Sequence, residues 1–145
     1  MGNILNSAGI TERIFAFATT MVGWMRGGLC HANIIASVIF AGMSGSAVAD
    51  AAGVGTIEIK AMIDEGYDPE TAAAITAASA TIGPIIPPSL PMVIYGVTAD
   101  VSIGALFLAG VIPGFLMAGT LMAMATVIAG RRNMPRHPFP GLSGV

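Results

Sequence analysis

A run of prolines inside a long uncharged stretch is the feature that most constrains this chain. Residues 71–99 carry no charged side chain, which makes the stretch long enough to cross the roughly 30 Å hydrocarbon core of a bilayer. Proline lacks an N–H and clashes with the carbonyl four residues earlier, so a continuous helix cannot pass through it. We therefore predict a membrane helix that is broken between Gly83 and Pro91, by Pro84, Pro87, Pro88 and Pro91.

The predicted break leaves backbone carbonyl oxygens without helical partners. At membrane depth such oxygens are tolerated only where protein, water or a bound cation satisfies them, so a broken membrane helix is a first candidate for a binding site. The carbonyls expected to lose their partners are those of Ala80, Gly83, Pro84 and Pro87. The residues that precede proline, and that we expect in extended geometry, are Gly83, Ile86, Pro87 and Leu90.

Composition indicates an integral membrane protein. The chain is 54% hydrophobic and 10% charged, with a mean hydropathy of +0.80, values that are extreme for a soluble domain of 145 residues. Its net charge of −2 gives no basic surface for nucleic acid. Cys30 has no second cysteine to pair with, and we interpret it as a small buried residue. His31 and His137 stand alone, which argues against a transition-metal or nucleophilic site.

The first segment, residues 11–25, is predicted to be an arm helix that lies along the membrane surface. Thr11 is a plausible N-cap with Glu12 in the first turn, and Trp24 beside Arg26 is typical of an interface. One apolar face is predicted at helical spacing, formed by Ile14, Phe17, Ala18, Met21, Val22 and Met25.

The second segment, residues 27–60, is predicted to be a helical hairpin. Its apolar run is interrupted by glycines and serines, which allow a turn with positive φ and offer hydroxyls to cap the next helix; the tip is Ser44, Gly45 and Ser46. Asp50 would lie in the first turn of that helix, where the helix dipole favours an anion. The polar run from Glu58 to Glu70 is predicted to be an aqueous loop.

The last segments are the broken helix, residues 71–99, and a transmembrane helix, residues 101–130, with Pro113 as an expected kink. The polar tail, residues 133–145, is expected to be poorly ordered. Small residues would let neighbouring helices approach the transmembrane helix closely, namely Gly104, Ala105, Ala109, Gly110, Gly114, Ala118 and Gly119.

Charge distribution favours a hairpin that is re-entrant. If residues 27–49 enter the membrane, turn and return, then all the basic loop residues share the cytoplasmic face, as the positive-inside rule requires; they are Arg26, Lys60, Arg131, Arg132 and Arg136. A complete crossing would leave Arg26 on the opposite side. Both discontinuities then reach the membrane midplane, where carbonyls and serine hydroxyls suit a hard cation such as Na⁺. A Pro-kinked helix that is merely packed by its neighbours is the structural alternative.

Two stretches, AGMSGSAVADAAGVG and the later run that contains GPIIPPSLPMVIYG, carry a resemblance to a known family. The chain resembles the large membrane subunit, DctM type, of tripartite ATP-independent periplasmic (TRAP) transporters, over nearly all of residues 1–132. The resemblance implies an all-α inner-membrane protein, multi-pass, that is half of an inverted-repeat elevator and imports carboxylates with a Na⁺ gradient. It also implies a small membrane subunit (DctQ type), a periplasmic solute-binding protein (DctP type), the lipid bilayer around them, and no cofactor beyond the coupling ion.

The same resemblance implies a Na⁺ site where the hairpin tip meets the broken helix. Matched residue by residue, its ligands fall on Ala41, Ser44, Gly83, Ile86 and Pro88. Family members often have serine at position 41, so alanine here leaves only a backbone carbonyl. Gly45, Ser46 and Asp50 would form and support the tip, Asp50 through the helix dipole and hydrogen bonds, or alternatively as a hydrated charge near the interface.

Family members also have a second, inverted half and helices before the position of Met1, so we expect this chain to be a fragment that does not transport alone. Two other classes stay open from the residues. An oligomeric pore would use Asp50 as its ring-forming charge, and a membrane enzyme would use Ser44 or Ser46 as nucleophile, although no base is near.

Overall fold

A computed structural model describes residues 9–25 and 27–132, and over these ranges the chain has six helices and no strand. The expectation of an all-α protein is confirmed. The predictions for Arg26, Arg136, His137 and the tail at 133–145 lie outside the described residues. The helices are α1 (Ile10–Val22), α2 (Gly28–Ser44), α3 (Ala47–Asp64), α4 (Pro69–Ala80), α5 (Leu90–Thr98) and α6 (Ile103–Arg131).

The helix α2 is the centre of the fold, because it packs against α1, α3, α4 and α6. The helix α1 begins after Gly9, which has φ 68° and makes no side-chain cap, so the prediction of Thr11 as N-cap is wrong. Of the predicted apolar face, Ala18 is buried, whereas Phe17 and Met21 are more than half exposed. Apolar residues occur on both faces of α1, so spacing alone could not show which face meets α2 and α3.

The hairpin of α2 and α3 turns on a glycine and a serine, as the sequence predicts. Gly45 ends α2 with φ 58°, and its N–H donates to the carbonyl of Ala41 at 3.0 Å. Ser46 is the N-cap of α3, and its hydroxyl accepts the N–H of Ala49 at 3.4 Å. A left-handed residue followed at once by an N-cap lets the chain reverse with no intervening loop.

The predicted aqueous loop from Glu58 to Glu70 is wrong in its first part, because α3 continues to Asp64. Glu58 is fully buried on the inner face of α3, whereas Lys60 and Asp64 are exposed on its outer face. Charge density alone suggested a loop there. The position of each charged residue around the helix, and not the number of such residues, determines which of them are exposed to water.

The helix break is real, and α6 packs closely against it. Residues 81–89 separate α4 from α5. A Cβ added at Gly110 would lie 2.6 Å from the carbonyl oxygen of Ile85, and one at Gly114 would lie 2.5 Å from Cγ1 of Ile86. These two glycines provide the close approach predicted for α6, whereas nothing lies within 4 Å of a Cβ at Gly119. Within the described ranges, α6 is the helix that is long and apolar enough to cross a membrane.

Candidate functional site

The hairpin tip and the helix break are in direct contact. The carbonyl oxygen of Gly45 accepts the N–H of Leu90 at 3.3 Å. A Cβ on Gly45 would lie 2.4 Å from the carbonyl oxygen of Pro88, so only glycine permits this approach. We call Ala41 and residues 44–47 together with residues 81–90 the junction.

A second contact lies on the other side of the junction. A Cβ on Gly83 would lie 3.4 Å from the carbonyl carbon of Ser46 and 3.5 Å from the nitrogen of Ala47. The first turn after α4 therefore lies against the start of α3. The tip is held between the two ends of the broken helix.

Of the five residues matched to a cation site, Ala41 and Ser44 lie at the end of α2, and Gly83 and Pro88 of the break contact the tip. Ala41 is hydrogen-bonded to Gly45, and the hydroxyl of Ser44 accepts the N–H of Ser46 at 3.4 Å. Pro88 and Gly83 make the tip contacts described above. Ile86 is buried, with its side chain against α6.

Several backbone oxygens of the break have no partner. Two of the four carbonyls predicted to be orphaned are satisfied locally, because Ala80 accepts the N–H of Gly83 at 3.1 Å and Pro84 accepts the hydroxyl of Ser89. The others accept no hydrogen bond from the described residues. Within the described residues, six carbonyls of the break accept no hydrogen bond, those of Thr81, Gly83, Ile85, Ile86, Pro87 and Pro88.

Helix ends of both polarities meet at the junction. The C-terminal ends of α2 and α4 present carbonyl oxygens, and the N-terminal ends of α3 and α5 present N–H groups. Ser89 caps α5 by accepting the N–H of Met92 at 3.3 Å while it donates to Pro84, so one hydroxyl joins both edges of the break. This arrangement offers oxygen ligands to a cation and a favourable dipole to an anion.

Asp50 lies in the first turn of α3, as predicted, and is 1% exposed. The alternative of a hydrated interfacial charge is therefore wrong. Its carboxyl lies beside Ser37, but neither carboxyl oxygen makes a hydrogen bond with the described residues, and the expected bonds to the tip are not seen there. The start of α3 supplies the field of its dipole at this position.

A buried polar network that the sequence analysis missed joins the first arm of the hairpin to α4. Asn33 donates to the hydroxyl of Thr76 at 2.7 Å and accepts the hydroxyl of Ser79 at 2.7 Å. Ser37 donates to Ser79 at 3.1 Å. The sequence does contain a pattern that could have indicated this network. Asn33 and Ser37 are four residues apart on α2, and Thr76 and Ser79 are three apart on α4, so each pair lies on one face of its helix.

His31, which the sequence left without a role, joins α2 to α6. Its Nε2 lies 2.9 Å from the hydroxyl of Thr126, and its Nδ1 lies 3.0 Å from the carbonyl oxygen of Gly27. The imidazole is buried and both ring nitrogens are used in helix packing. His31 is thus part of the scaffold and not a base for the serines of the tip.

Comparison with known proteins gives concordant matches. The family model described as "Tripartite ATP-independent periplasmic transporter, DctM component" matches residues 1–142. The chain is 57% identical to the sialic acid TRAP transporter large permease protein SiaM of Vibrio cholerae, with 94% of this chain and 32% of that protein covered. It is 56% identical to the sialic acid TRAP transporter permease protein SiaT of Haemophilus influenzae, with 94% and 22% covered.

A relative named for another solute is also similar. The C4-dicarboxylate TRAP transporter large permease protein DctM of Vibrio cholerae is 43% identical over 94% of this chain and 30% of its own length. The chain thus spans about a third or less of these relatives. The helical fold, in which a hairpin tip contacts a helix break, agrees with these matches. Because the family model matches nearly the whole sequence, the chain belongs to the DctM family of TRAP transporter large permeases.

Proposed function

We propose that this chain forms the cation-binding part of a Na⁺-coupled secondary transporter that imports carboxylate solutes across the bacterial inner membrane. The junction carries the proposal. The break has unpartnered carbonyls, and at Gly83 and Pro88 it contacts a hairpin tip that contributes a serine hydroxyl and the C-terminal carbonyls of α2. Na⁺ is a hard cation that takes oxygen ligands, and it needs no cysteine or histidine.

The Na⁺ ligands in this proposal are Ala41, Ser44, Gly83, Ile86 and Pro88, acting through backbone carbonyls and the serine hydroxyl. Gly45 and Ser46 hold the tip in register with the break. Asp50 supports the tip from the first turn of α3, where the helix dipole favours an anion. Na⁺ would fix the tip against the break by ligating both, and so would link ion binding to the position of the hairpin.

The substrate class rests on the relatives, which are named for sialic acid and for C4-dicarboxylates, both of them carboxylates. The N-terminal ends of α3 and α5 suit an anionic group near the same junction. Because the chain spans at most about a third of these relatives, we assign it the cation site and one side of the solute path. The other contacts would come from a second, inverted half moving as an elevator, with a small DctQ-type subunit and a DctP-type binding protein that delivers the solute.

The oligomeric pore is the less favoured alternative. Its ring-forming charge would be Asp50, but that side chain is buried within one copy of the chain and does not lie on an open face. A nucleophilic serine is equally unsupported, since the hydroxyl of Ser46 caps α3. The relatives are named as permeases, in keeping with transport.

Solute uptake tests the proposal. A permease that contains this chain is reconstituted in proteoliposomes with its small subunit and binding protein, and uptake of sialic acid or a C4-dicarboxylate is followed with an inward Na⁺ gradient or an equal K⁺ gradient. We expect uptake in the Na⁺ arm only, and no uptake by the 145-residue chain alone. Equal uptake in both arms would contradict Na⁺ coupling, and uptake by the chain alone would contradict its assignment as a part.

A further inference from the structure

Glu58 is a fully buried acid with no bonding partner. Its side chain is 0% exposed, and neither carboxyl oxygen makes a hydrogen bond with any described residue. It lies on the inner face of α3 at the same four-residue spacing as Asp50, Val54 and Met62, all of them buried. In the same layer, the amide of Asn33 contacts the sulfur of Met62 at 3.8 Å.

No described cation neutralises Glu58. The helices that pack against α3 are α1, α2 and α4. On α1, Arg13 is exposed; on α2, His31 is bonded to α6; on α4, the charged residue is Glu70, which is exposed. On α3 itself Asp50 is a second buried acid and Lys60 is exposed. The charges around Glu58 therefore disfavour a carboxylate at this position.

A partner from outside this part of the chain cannot reach Glu58 either. Because its side chain has no accessible surface, another subunit or another segment of a longer protein could contact the carboxyl only if α3 separated from the helices packed against it, α1, α2 and α4. An unpaired carboxylate in such surroundings is far more costly than the neutral acid, and a group in this position takes up a proton instead.

We propose that Glu58 is a proton-binding site, which holds its proton while α3 is packed against α1, α2 and α4. When these helices separate enough to admit water, the O–H bond of the acid breaks, its electron pair stays on the carboxylate, and the proton passes to water. Any step that opens this layer then releases one proton. The bound species is H⁺, and Glu58 is not one of the Na⁺ ligands proposed at the junction.

Infrared spectroscopy of the full chain in lipid nanodiscs tests for the proton directly. At neutral pH we expect the carbonyl-stretch band of a protonated carboxylic acid, which Glu58→Gln removes and the exposed control Glu70→Gln leaves unchanged. The proposal is overturned if the wild-type chain shows carboxylate bands alone, or if Glu58→Gln leaves the protonated band intact. Asp50→Asn separates the band of Glu58 from any band of the other buried acid. If Glu58→Gln does not fold, a protonated band that persists in Asp50→Asn supports the proposal, and its absence there overturns it.

The pH dependence of unfolding gives a second readout. If the folded chain holds a proton that the unfolded chain releases at neutral pH, the free energy of unfolding falls as pH rises, and the unfolding equilibrium constant grows tenfold per pH unit for each such proton. We expect Glu58→Gln, or Glu58→Met as a second neutral variant, to lower this dependence by one factor of ten per unit. Glu70→Gln should retain the wild-type slope. A slope that is the same in the wild type and in both Glu58 variants would contradict the proposal.

Discussion

The carbonyl oxygen of Gly45 accepts a hydrogen bond from the N–H of Leu90 at 3.3 Å, and this bond joins the apex of the hairpin to the first turn of α5. The two discontinuities of the chain are therefore one structural unit. The hairpin supplies a left-handed glycine with no side chain, and the break supplies carbonyls that no helix uses. The hairpin tip and the helix break therefore hold each other in place through these contacts.

Gly45→Ala should weaken this unit. Alanine at a φ of 58° is strained, and its Cβ would meet the carbonyl oxygen of Pro88 at 2.4 Å. Together we expect a loss of about 2 kcal/mol or more in the free energy of unfolding, measured by thermal unfolding of the chain in detergent.

Gly42→Ala is the matched control for this substitution. Gly42 lies in α2, one turn before the tip, and a Cβ there would meet nothing within 4 Å. Alanine should be neutral or stabilising by up to about 1 kcal/mol, because it raises helix propensity. Equal destabilisation by both substitutions would show that the contact with Pro88 does not hold the tip.

Gly110→Ala should separate α6 from the break. Its Cβ would lie 2.6 Å from the carbonyl oxygen of Ile85, a backbone atom that cannot move aside as a side-chain end can. Overpacking of this kind costs about 1–3 kcal/mol. The same unfolding measurement on Gly119→Ala, where the added methyl group has no neighbour, should show no loss; a similar loss at Gly119 would indicate a helix-wide effect of alanine.

Asn33→Ala should destabilise the contact between α2 and α4. The substitution removes two buried hydrogen bonds, and each lost bond costs about 0.5–1.5 kcal/mol. The hydroxyls of Thr76 and Ser79 keep their other bonds, to the carbonyls of Ala72 and Thr76 and to Ser37. In a double-mutant cycle, Asn33→Ala and Ser79→Ala should couple by at least about 0.5 kcal/mol, whereas additive losses would mean that the two side chains act independently. Thr20→Ala, an exposed site on α1, is the control and should change little.

Local rules predicted the elements that local chemistry determines. Prolines that remove N–H donors placed the break, and glycine beside serine placed the tip, because both effects act within a few residues. The wrongly predicted boundary lies at Glu58, because a charged residue predicts an exposed loop, whereas Glu58 is buried within α3. Whether a charged residue is buried depends on the helices that pack over it. Here α2 and α4 pack against α3, and they come from other parts of the sequence.

The sequence predicts the residues of the candidate site better than their contacts. Gly83 and Ile86 follow from proline chemistry and from the resemblance, and Pro88 follows from the resemblance alone; cation binding by these residues stays a prediction. The satisfaction of Pro84 by Ser89 did not follow, since a hydroxyl five residues away reaches that carbonyl only when the break folds back on itself. To predict the hydrogen bonds of Asn33, one must know how α2 and α4 are aligned against each other. The residue pattern of a single helix does not contain that information.

The most direct test of the central claim is the Na⁺ dependence of thermal stability of the purified chain, compared with choline chloride at the same ionic strength. A cation that binds only the folded junction should raise the melting temperature progressively, with a stabilisation of about 2.7 kcal/mol at one hundred times its dissociation constant. We predict this rise for the wild-type chain and its loss in Gly45→Ala, with Gly42→Ala behaving as wild type. Equal melting temperatures in Na⁺ and choline for the wild-type chain would contradict a cation site at the junction.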